Sequence, residues 1–466
     1  MKLQSLQLYD FRSYETASVQ LHPGVNLIVG ENAQGKTNLL ESVFYLSTGK
    51  SFRTARNQEL IRFGAEFADL SCTLFSGGRE QSLRAVLFSG RRPRQLYIGG
   101  VKQRSAAGLS GVLTTVLFCP DDLLILKSGS AGRRKILDTA LCQLRPGYAQ
   151  ALAEYQKLYD SKSRILKDYH DAPSLLEPLP EFNYRMAQVG AVVIAYRAKF
   201  LRELSKQARL YHAEFSGGRE ELSLVYQTVS TVTDPFADKK TIFQQLLDHQ
   251  QAHYRAELDS GQCLSGPHKD DFETLLGERS VKAYGSQGQT RTAAISLKLA
   301  ERELFRADTG EEPVLLLDDV LSELDARRQD FVLNQIRSGQ VLITFEKKIN
   351  DKHLNVNVDM PEHPVYTMAN PDYITQVIYN LIDNAVKFCP DGGNLGLRIK
   401  EGGSKAYVSV SNDGETIPPD ELPLVFDRFH KLDKSRSQNR DGWGLGLYIV
   451  KTIVCSHGED ISVSSK

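Results

Sequence analysis

Eight consecutive residues, Gly30-Glu31-Asn32-Ala33-Gln34-Gly35-Lys36-Thr37, fit the spacing GxxxxGK[ST] of a phosphate-binding loop. An apolar run, Val25 to Val29, leads into them as a strand, and an amphipathic helix follows from Asn38. The order matters chemically. Gly30 and Gly35 let backbone N–H groups curl around a phosphate, Lys36 brings a cation, and the Thr37 hydroxyl can ligate Mg²⁺. Far downstream, "EEPVLLLDDVLSELD" sets an apolar strand, Val314 to Leu317, directly before Asp318 and Asp319. A carboxylate at the end of a buried strand, Asp318, can hold Mg²⁺. The next one, Asp319, can orient or deprotonate an attacking water and is the candidate general base. With Lys36 it forms the candidate catalytic pair.

Between these halves lies "YGSQGQTRTAAISLKLAERELF". Ser286, Gln287, Gly288 and Gln289 stand just before a helical pattern of Ala293, Leu297, Ala300 and Leu304. Such residues at a helix N-terminus either cap the helix or form an anion site. A basic stretch, "SGRRPRQLYIGGVKQR", reads as a hairpin turning at Gly99-Gly100. Its Arg91, Arg92, Arg94, Lys102 and Arg104 suit phosphate tracking or a charged edge that resists aggregation.

A second constellation follows Phe345. "DYITQVIYNLIDNAVKFCPDGG" is an amphipathic helix with Asn380, Asp383, Asn384 and Lys387 on one side, opposite Ile378, Leu381 and Ile382. Amide oxygens and a lysine on one helical face suit Mg²⁺ and phosphate. "VSVSNDGETIPPDELPLVFDRFHKLD" then runs from strand into turn, and Gly442, Gly444 and Gly446 precede a further helix.

The elements that carry these groups need a long chain. At about 150 residues per domain, 466 residues hold two to four domains. The hydrophobic share of 41% and charged share of 24% are those of an ordinary soluble globular protein. Lys+Arg and Asp+Glu both number 57, so nucleic acid can be engaged only through local patches. Cys72, Cys119, Cys142, Cys263, Cys389 and Cys455 form no CxxC pair and no cluster with His, which indicates reduced, buried thiols and a cytoplasmic location. "MKLQSLQLYDF" alternates like a strand rather than a signal peptide, and no apolar stretch is long enough to cross a bilayer. Leu, Ala, Lys, Arg and Tyr at helical spacing from Arg133 to about Gln251 describe a helical subdomain interrupted by Pro173, Pro178 and Pro180.

Residues 1 to about 344 resemble the RecF family, bacterial recombination and replication-repair ATPases related to SMC proteins. The resemblance rests on ordered blocks: "LQLYDFRSYE", the phosphate loop, "STGKSFRTARNQELIRFG", "LFCPDDLLILKSGSAGRRKILD", "SGPHKDDF" with Lys269 where Arg is usual, "SQGQTR", and "LLLDDVLSELD". It implies an α/β fold with an ABC/SMC-like P-loop head from 1–132 and 252–344 and a short helical arm from 133–251. It also implies that ATP sits between the phosphate loop of one subunit and Ser286 to Gln289 of a second, with Asp325 in the nucleotide-binding set. ATP and Mg²⁺ are then the cofactors. Homodimerisation on ATP, slow hydrolysis, binding of single-stranded, gapped or junction DNA, and RecR and RecO as partners complete the expectation.

Residues 346–466 resemble the ATP-binding domain of sensor histidine kinases, an α/β sandwich shared with gyrase and Hsp90. By resemblance Asn384 ligates Mg²⁺, Asn380 and Lys387 contact phosphate, Asn412 and Gly414 lie at the adenine, and Gly442, Gly444 and Gly446 hold the lid. "FDRFHKLD" resembles the F-box. Three departures stand out. Asn412 occupies the adenine-reading Asp position, with Asp413 one place late and Thr416 where a second Gly belongs. The sequence "HGEDISVSSK" ends short of that domain's last strands. RecF-like sequence also replaces the phosphoacceptor-His hairpin. The two patterns meet within "QVLITFEKKIN" without a linker, as in a fusion of two genes. The expected function is therefore that of a RecF-like DNA-repair ATPase. The alternatives are a signalling protein whose kinase-like domain phosphorylates a partner in trans, which the missing hairpin disfavours, and a scaffold with an inert C-terminal tail.

Overall fold

In a computed structural model the described residues are 1–30, 34–336, 338–346, 353–361, 363, 365–369, 371–403, 405–427 and 446–465. They divide into two units: Met1–Ile28 with Ala33–Glu323 and Ser338–Thr344, and Val29–Asn32 with Leu324–Arg337 and Phe345–Lys466.

In the first unit, β1 (Lys2–Phe11) buries Leu3, Leu6 and Leu8. Their spacing of three and then two reflects a bulge between Leu3 and Ser5. One extra residue there keeps the apolar set on a single face. β2 (Tyr14–Gln20), β3 (Val25–Gly30) and α1 (Lys36–Thr48) follow. Next come β4 (Phe67–Ser76), β5 (Arg79–Phe88), β6 (Gln95–Ile98) and β7 (Val101–Gln103). The antiparallel sheet runs β2-β1-β4-β5-β6-β7. Ala68, Leu70, Cys72 and Leu74 alternate along β4 into the same core as Leu40, Val43 and Leu46 of α1. β6 and β7 form a hairpin turning on left-handed Gly99 and Gly100, as the sequence indicates.

β8 (Thr115–Phe118) is followed by α2 (Ser130–Leu144), α3 (Pro146–Asp168), α4 (Leu179–Ser216), β9 (Leu222–Gln227) and α5 (Lys239–Ser260). Pro178 is the N-cap of α4 and Pro180 lies in its first turn, where the missing N–H leaves no hydrogen bond unmade. β10 (Asp271–Leu276) joins β9 and β11 (Arg279–Ser280) in a second sheet. After α6 (Val281–Tyr284) comes α7 (Gln287–Thr309), whose Ala293, Leu297 and Ala300 share a core with Leu201 and Leu204 of α4 and Phe272 of β10.

β12 (Val314–Asp318) is buried throughout, as a strand covered on both faces must be. It pairs in parallel with β8 and with β13 (Val341–Glu346), in a sheet ordered β3-β13-β12-β8. Gln340, fully buried, fastens this sheet to β1. Its Oε1 accepts from the Leu3 N–H at 2.6 Å, and its Nε2 donates to Leu3 O at 2.7 Å and His22 O at 2.8 Å.

The blocks "GRRKILD" and "SGPHKDD" interlock. Arg133 makes a two-pronged bond to Asp271, both prongs 2.7 Å. Buried Arg197 of α4 reaches Asp138 at 2.8 and 2.9 Å, Asp270 at 2.9 Å and the Pro267 carbonyl at 2.7 Å. A buried guanidinium needs this saturation, because each unmet N–H would bear a full desolvation penalty. These charged residues therefore hold α2, α4 and the start of β10 together.

The second unit contains α8 (Ala326–Gln335), β14 (Asn355–Asp359), α9 (Pro371–Phe388), β15 (Asn394–Gly402), β16 (Lys405–Asn412) and α10 (Gly446–Ser456). β14 pairs in parallel with β15, and β15 antiparallel with β16. The buried side of α9 differs from the sequence expectation. Val377, Ala385 and Cys389 are buried, whereas Ile378, Leu381 and Ile382 are all half-buried, Leu381 packing beside Val450 and Ile453 of α10. Apolar residues surround this helix, so spacing alone did not choose the face. The cysteines are free. Cys72, Cys263 and Cys389 are buried, Cys119 and Cys142 partly so, and Cys455 is exposed, contrary to a uniformly buried set.

Candidate nucleotide site

The phosphate loop joins β3 to α1. Gly35 is the N-cap of α1 at φ 95, a left-handed position that disfavours any side chain. A Cβ there would also meet Ser13 Oγ at 2.7 Å. The Tyr14 hydroxyl donates to the Gly35 carbonyl at 3.1 Å and fixes the turn from outside. No side chain caps α1, so Lys36 and Thr37 begin a helix whose first-turn N–H groups and positive dipole end suit phosphate. Glu31, Asn32 and Ala33 lie outside the described residues, and Gln34 leads directly into Gly35.

The Thr37 hydroxyl donates to Asp318 Oδ1 at 2.9 Å across 281 residues of sequence. The Thr344 hydroxyl reaches the same oxygen at 2.9 Å. Burial pushes the Asp318 carboxyl upward, opposed by these two hydroxyls and by the charge of Arg53, while Asp319 adds to the rise. A cation here would relieve that cost. Two hard oxygen donors, a hydroxyl and a carboxylate, are the ligand type that Mg²⁺ takes from a protein when water and phosphate supply the rest. Asp319 sits at φ 50, with its N–H on Thr344 Oγ1 at 2.9 Å. Ser322 Oγ donates to the Asp319 carbonyl at 2.6 Å and to its Oδ1 at 2.9 Å. The side chain is thus oriented beside, rather than on, the Thr37–Asp318 pair.

Ser286 is the N-cap of α7, with Gln287 and Gly288 in the first turn. Ser286 Oγ accepts from Gln289 N at 3.2 Å, and Gln289 Oε1 accepts from Ser286 N at 3.0 Å, a reciprocal capping box. Capping and anion binding are therefore compatible here. The cap uses lone pairs of the serine oxygen and leaves its proton to donate. Asp325 caps α8, accepting from Arg328 N at 3.0 Å.

Residue spacing alone does not single out the ring of residues around α1. Buried Glu41 receives Arg12 Nε at 2.9 Å and Nη2 at 2.8 Å, with Ser51 on the same carboxylate. Arg53 Nη1 donates to Asn38 at 2.9 Å. The arginines sit in "DFRSYE" and "SFRTAR", and their role depends on the folded positions of Glu41 and Asn38.

In the second unit, Asn380 and Asn384 are half-buried on α9, with Lys387 in its last turn. Asp413 Oδ2 accepts from Asn394 N at 2.9 Å and Nδ2 at 2.7 Å, and Asn412 Nδ2 donates to the Asp413 carbonyl at 2.9 Å. The Asp413 carboxylate is therefore turned to the start of β15. Gly414 lies next to it, Gly446 opens α10, and Gly442, Gly444 and residues 428–433 of the F-box-like stretch lie outside the described residues.

The Gly35-Lys36-Thr37 end of a phosphate loop, an aspartate at the end of a parallel strand and a capped Ser-Gln-Gly-Gln turn define an ABC/SMC-type P-loop head. The family model described as RecF/RecN/SMC N terminal domain matches residues 2–362. The DNA replication and repair protein RecF of Staphylococcus haemolyticus is 37% identical over 380 residues, 81% of this chain and 99% of that protein. RecF of Symbiobacterium thermophilum is 39% identical over 343 residues, 73% of this chain and 89% of the relative. A solved structure described as the recombination mediator protein RecF-ATPrS in the RecFOR pathway matches with a TM-score of 0.70 at 32% identity, covering 74% of this chain and 92% of that one. Its RecF-ATP counterpart gives 0.69 at 32% identity, with the same coverage. The chain belongs to the RecF family, and residues 369–466 match the model described as histidine kinase-, DNA gyrase B-, and HSP90-like ATPase. No helix among the described residues is long and apolar enough to cross a membrane.

Proposed function

We propose that this protein is an ATP-dependent DNA-binding ATPase of recombinational repair. The head, 1–132 with 252–344, binds nucleotide, and 133–251 form its helical arm. The first-turn N–H groups of α1 and Lys36 take the phosphates, Thr37 and Asp318 hold Mg²⁺, and Asp319 accepts a proton from the attacking water. Mg²⁺ would neutralise charge on the transferring phosphoryl group. Ser286 to Gln289 of a second copy, with Asp325, close on the same nucleotide. ATP thereby drives dimerisation, and slow hydrolysis reverses it. The dimer binds single-stranded, gapped or junction DNA, with RecO and RecR as partners, a reading supported by the likeness to the recombination mediator RecF of the RecFOR pathway. The observation that carries this reading is the 2.9 Å contact between Thr37 and Asp318, which joins the two halves of the site.

Sedimentation with and without ATP tests it. ATP should shift the wild type to dimer, Lys36→Ala should lose nucleotide binding, and Ser286→Arg should bind ATP yet stay monomeric. DNA affinity should require ATP and fall steeply from low to moderate salt. Equal dimer fractions with and without ATP would defeat the proposal.

A further inference from the structure

The capping box of α7 is itself held from outside. Gln289 Nε2 donates to Glu220 Oε1 at 2.7 Å. Glu220 Oε2 lies 3.1 Å from Nε2 of His212, a fully buried residue in the penultimate turn of α4. α4 ends at Gly217, and Gly217 and Gly218 at φ 65 and 75 reverse the chain so that Glu220 returns beside the helix it has just left. Burial keeps the His212 imidazole neutral, and its Nδ1 has no hydrogen-bond partner among the described residues. The one N–H of the ring is therefore on Nε2, facing the carboxylate.

A carboxylate can only accept, and this decides how the Gln289 amide sits. With Nε2 committed to Glu220, Oε1 must face the Ser286 N–H. The opposite amide orientation would set oxygen against carboxylate and NH₂ against N–H. One glutamate thus selects the single amide orientation in which the cap closes. Two residues further on, Arg291 Nη1 donates to the Glu323 carbonyl at 2.7 Å and Nη2 to its carboxylate at 3.2 Å. The start of α7 is gripped on one side by the loop that follows the arm helix and on the other by the segment that follows Asp318 and Asp319.

We propose that Glu220 is a positioning residue for the Ser286–Gln289 turn, and that His212–Glu220–Gln289–Ser286 links the end of the arm helix α4 to the surface a second subunit's nucleotide meets. The assignment rests on the function proposed above, and Glu220 itself touches no nucleotide.

The test uses the full chain. Glu220→Ala should leave ATP binding by the monomer unchanged and weaken ATP-driven dimerisation by about tenfold or more, the loss expected for a charge-assisted hydrogen bond. Gln289→Glu keeps a capping-box residue but faces Glu220 with like charge, so it should be equally impaired. Adding Glu220→Gln to it restores a donor–acceptor pair and should bring dimerisation back to within about threefold of wild type. A Glu220→Ala protein that dimerises like wild type overturns the assignment, as does failure of the double variant to recover. Amide exchange at residues 287–290 provides a readout that does not depend on dimerisation. Faster exchange in Glu220→Ala, reversed in the double variant, supports positioning, and unchanged exchange refutes it. If wild type itself stays monomeric with ATP, the proposed function fails, and the exchange result alone still decides the role of Glu220.

Discussion

The hydroxyl of Thr344 stands 2.9 Å from Asp318 Oδ1 and 2.9 Å from the backbone nitrogen of Asp319. A single side chain donates to one of the two strand-end aspartates and accepts from the peptide of the other. The parallel register that pairs Asp318 with Thr344 places it there. It holds Asp319 in a left-handed conformation that few residues other than glycine, Asn and Asp adopt readily.

Thr344→Val keeps the shape and removes both bonds. It should lower stability by about 1–3 kcal/mol, because the Asp319 N–H loses its partner. ATP hydrolysis should fall further than ATP affinity, since the phosphate loop is untouched. Thr344→Ser should restore both. Urea unfolding and single-turnover hydrolysis measure the two effects, and a Val variant with wild-type turnover would show that Asp319 needs no such support.

Gln340→Met tests the fastening between the two sheets. It leaves the buried Leu3 N–H and C=O without their side-chain partner and removes the bond to the His22 carbonyl, and should cost at least about 2 kcal/mol. Denaturant midpoints for Gln340→Met and Gln340→Glu give the comparison, and a midpoint unchanged in both would mean that the sheets dock without it.

Burial pulls the His268 imidazole down to about 4. Its Nε2 lies 2.9 Å from the Cys263 carbonyl and its Nδ1 2.7 Å from the Tyr155 hydroxyl. A neutral ring satisfies both, donating from Nε2 and accepting at Nδ1. Between about pH 6.5 and 4 the unfolded chain takes up a proton that the folded ring refuses. The stability this residue contributes is therefore fully present above about pH 6.5 and is lost as pH falls towards 4, by up to about 3 kcal/mol. Stability curves over that window should flatten in His268→Gln, and an equally steep curve would place the acid sensitivity elsewhere.

The C-terminal nucleotide site should bind Mg-ATP weakly. If Asn412 meets the adenine amino group, it offers a neutral amide where a carboxylate is usual, and the neighbouring Asp413 carboxylate is engaged by Asn394. Replacing a charge-assisted bond by a neutral one costs about tenfold in affinity. Calorimetric titration of the full chain carrying Lys36→Ala isolates this site, with Asn384→Ala added as the control. A tight Mg²⁺-dependent signal that the control removes would reverse the expectation.

Much of the candidate site was legible in the sequence because its motifs are local. Gly35, Lys36 and Thr37 sit within one turn, and Asp318 closes its own strand. Ser286 and Gln289 were legible as a cap or an anion site, and they form a cap whose serine proton remains to donate. Glu220 carried no such signal. Its role depends on a chain reversal at Gly217–Gly218 and on a partner 69 residues away. Gln340 is likewise an isolated glutamine until the two sheets dock. The inward face of α9 was misjudged because Ile378, Leu381 and Ile382 offer apolar surface on several sides, and only the partners on α10 and β15 select among them.

The placement of β13 has a consequence for how the molecule is made. The strand lies between β3 and β12, so the strand that presents the phosphate loop gains its neighbour only after some 310 further residues have been joined. During synthesis from the N-terminus, the sheet β1-β4-β5 and the arm helices can form while β3 still lacks a partner. Such distant pairing is slow and leaves a strand edge open. The nucleotide-binding centre is thus the last part of the first unit to close on the ribosome, and a chain interrupted before Val341 would expose β3 to other nascent strands.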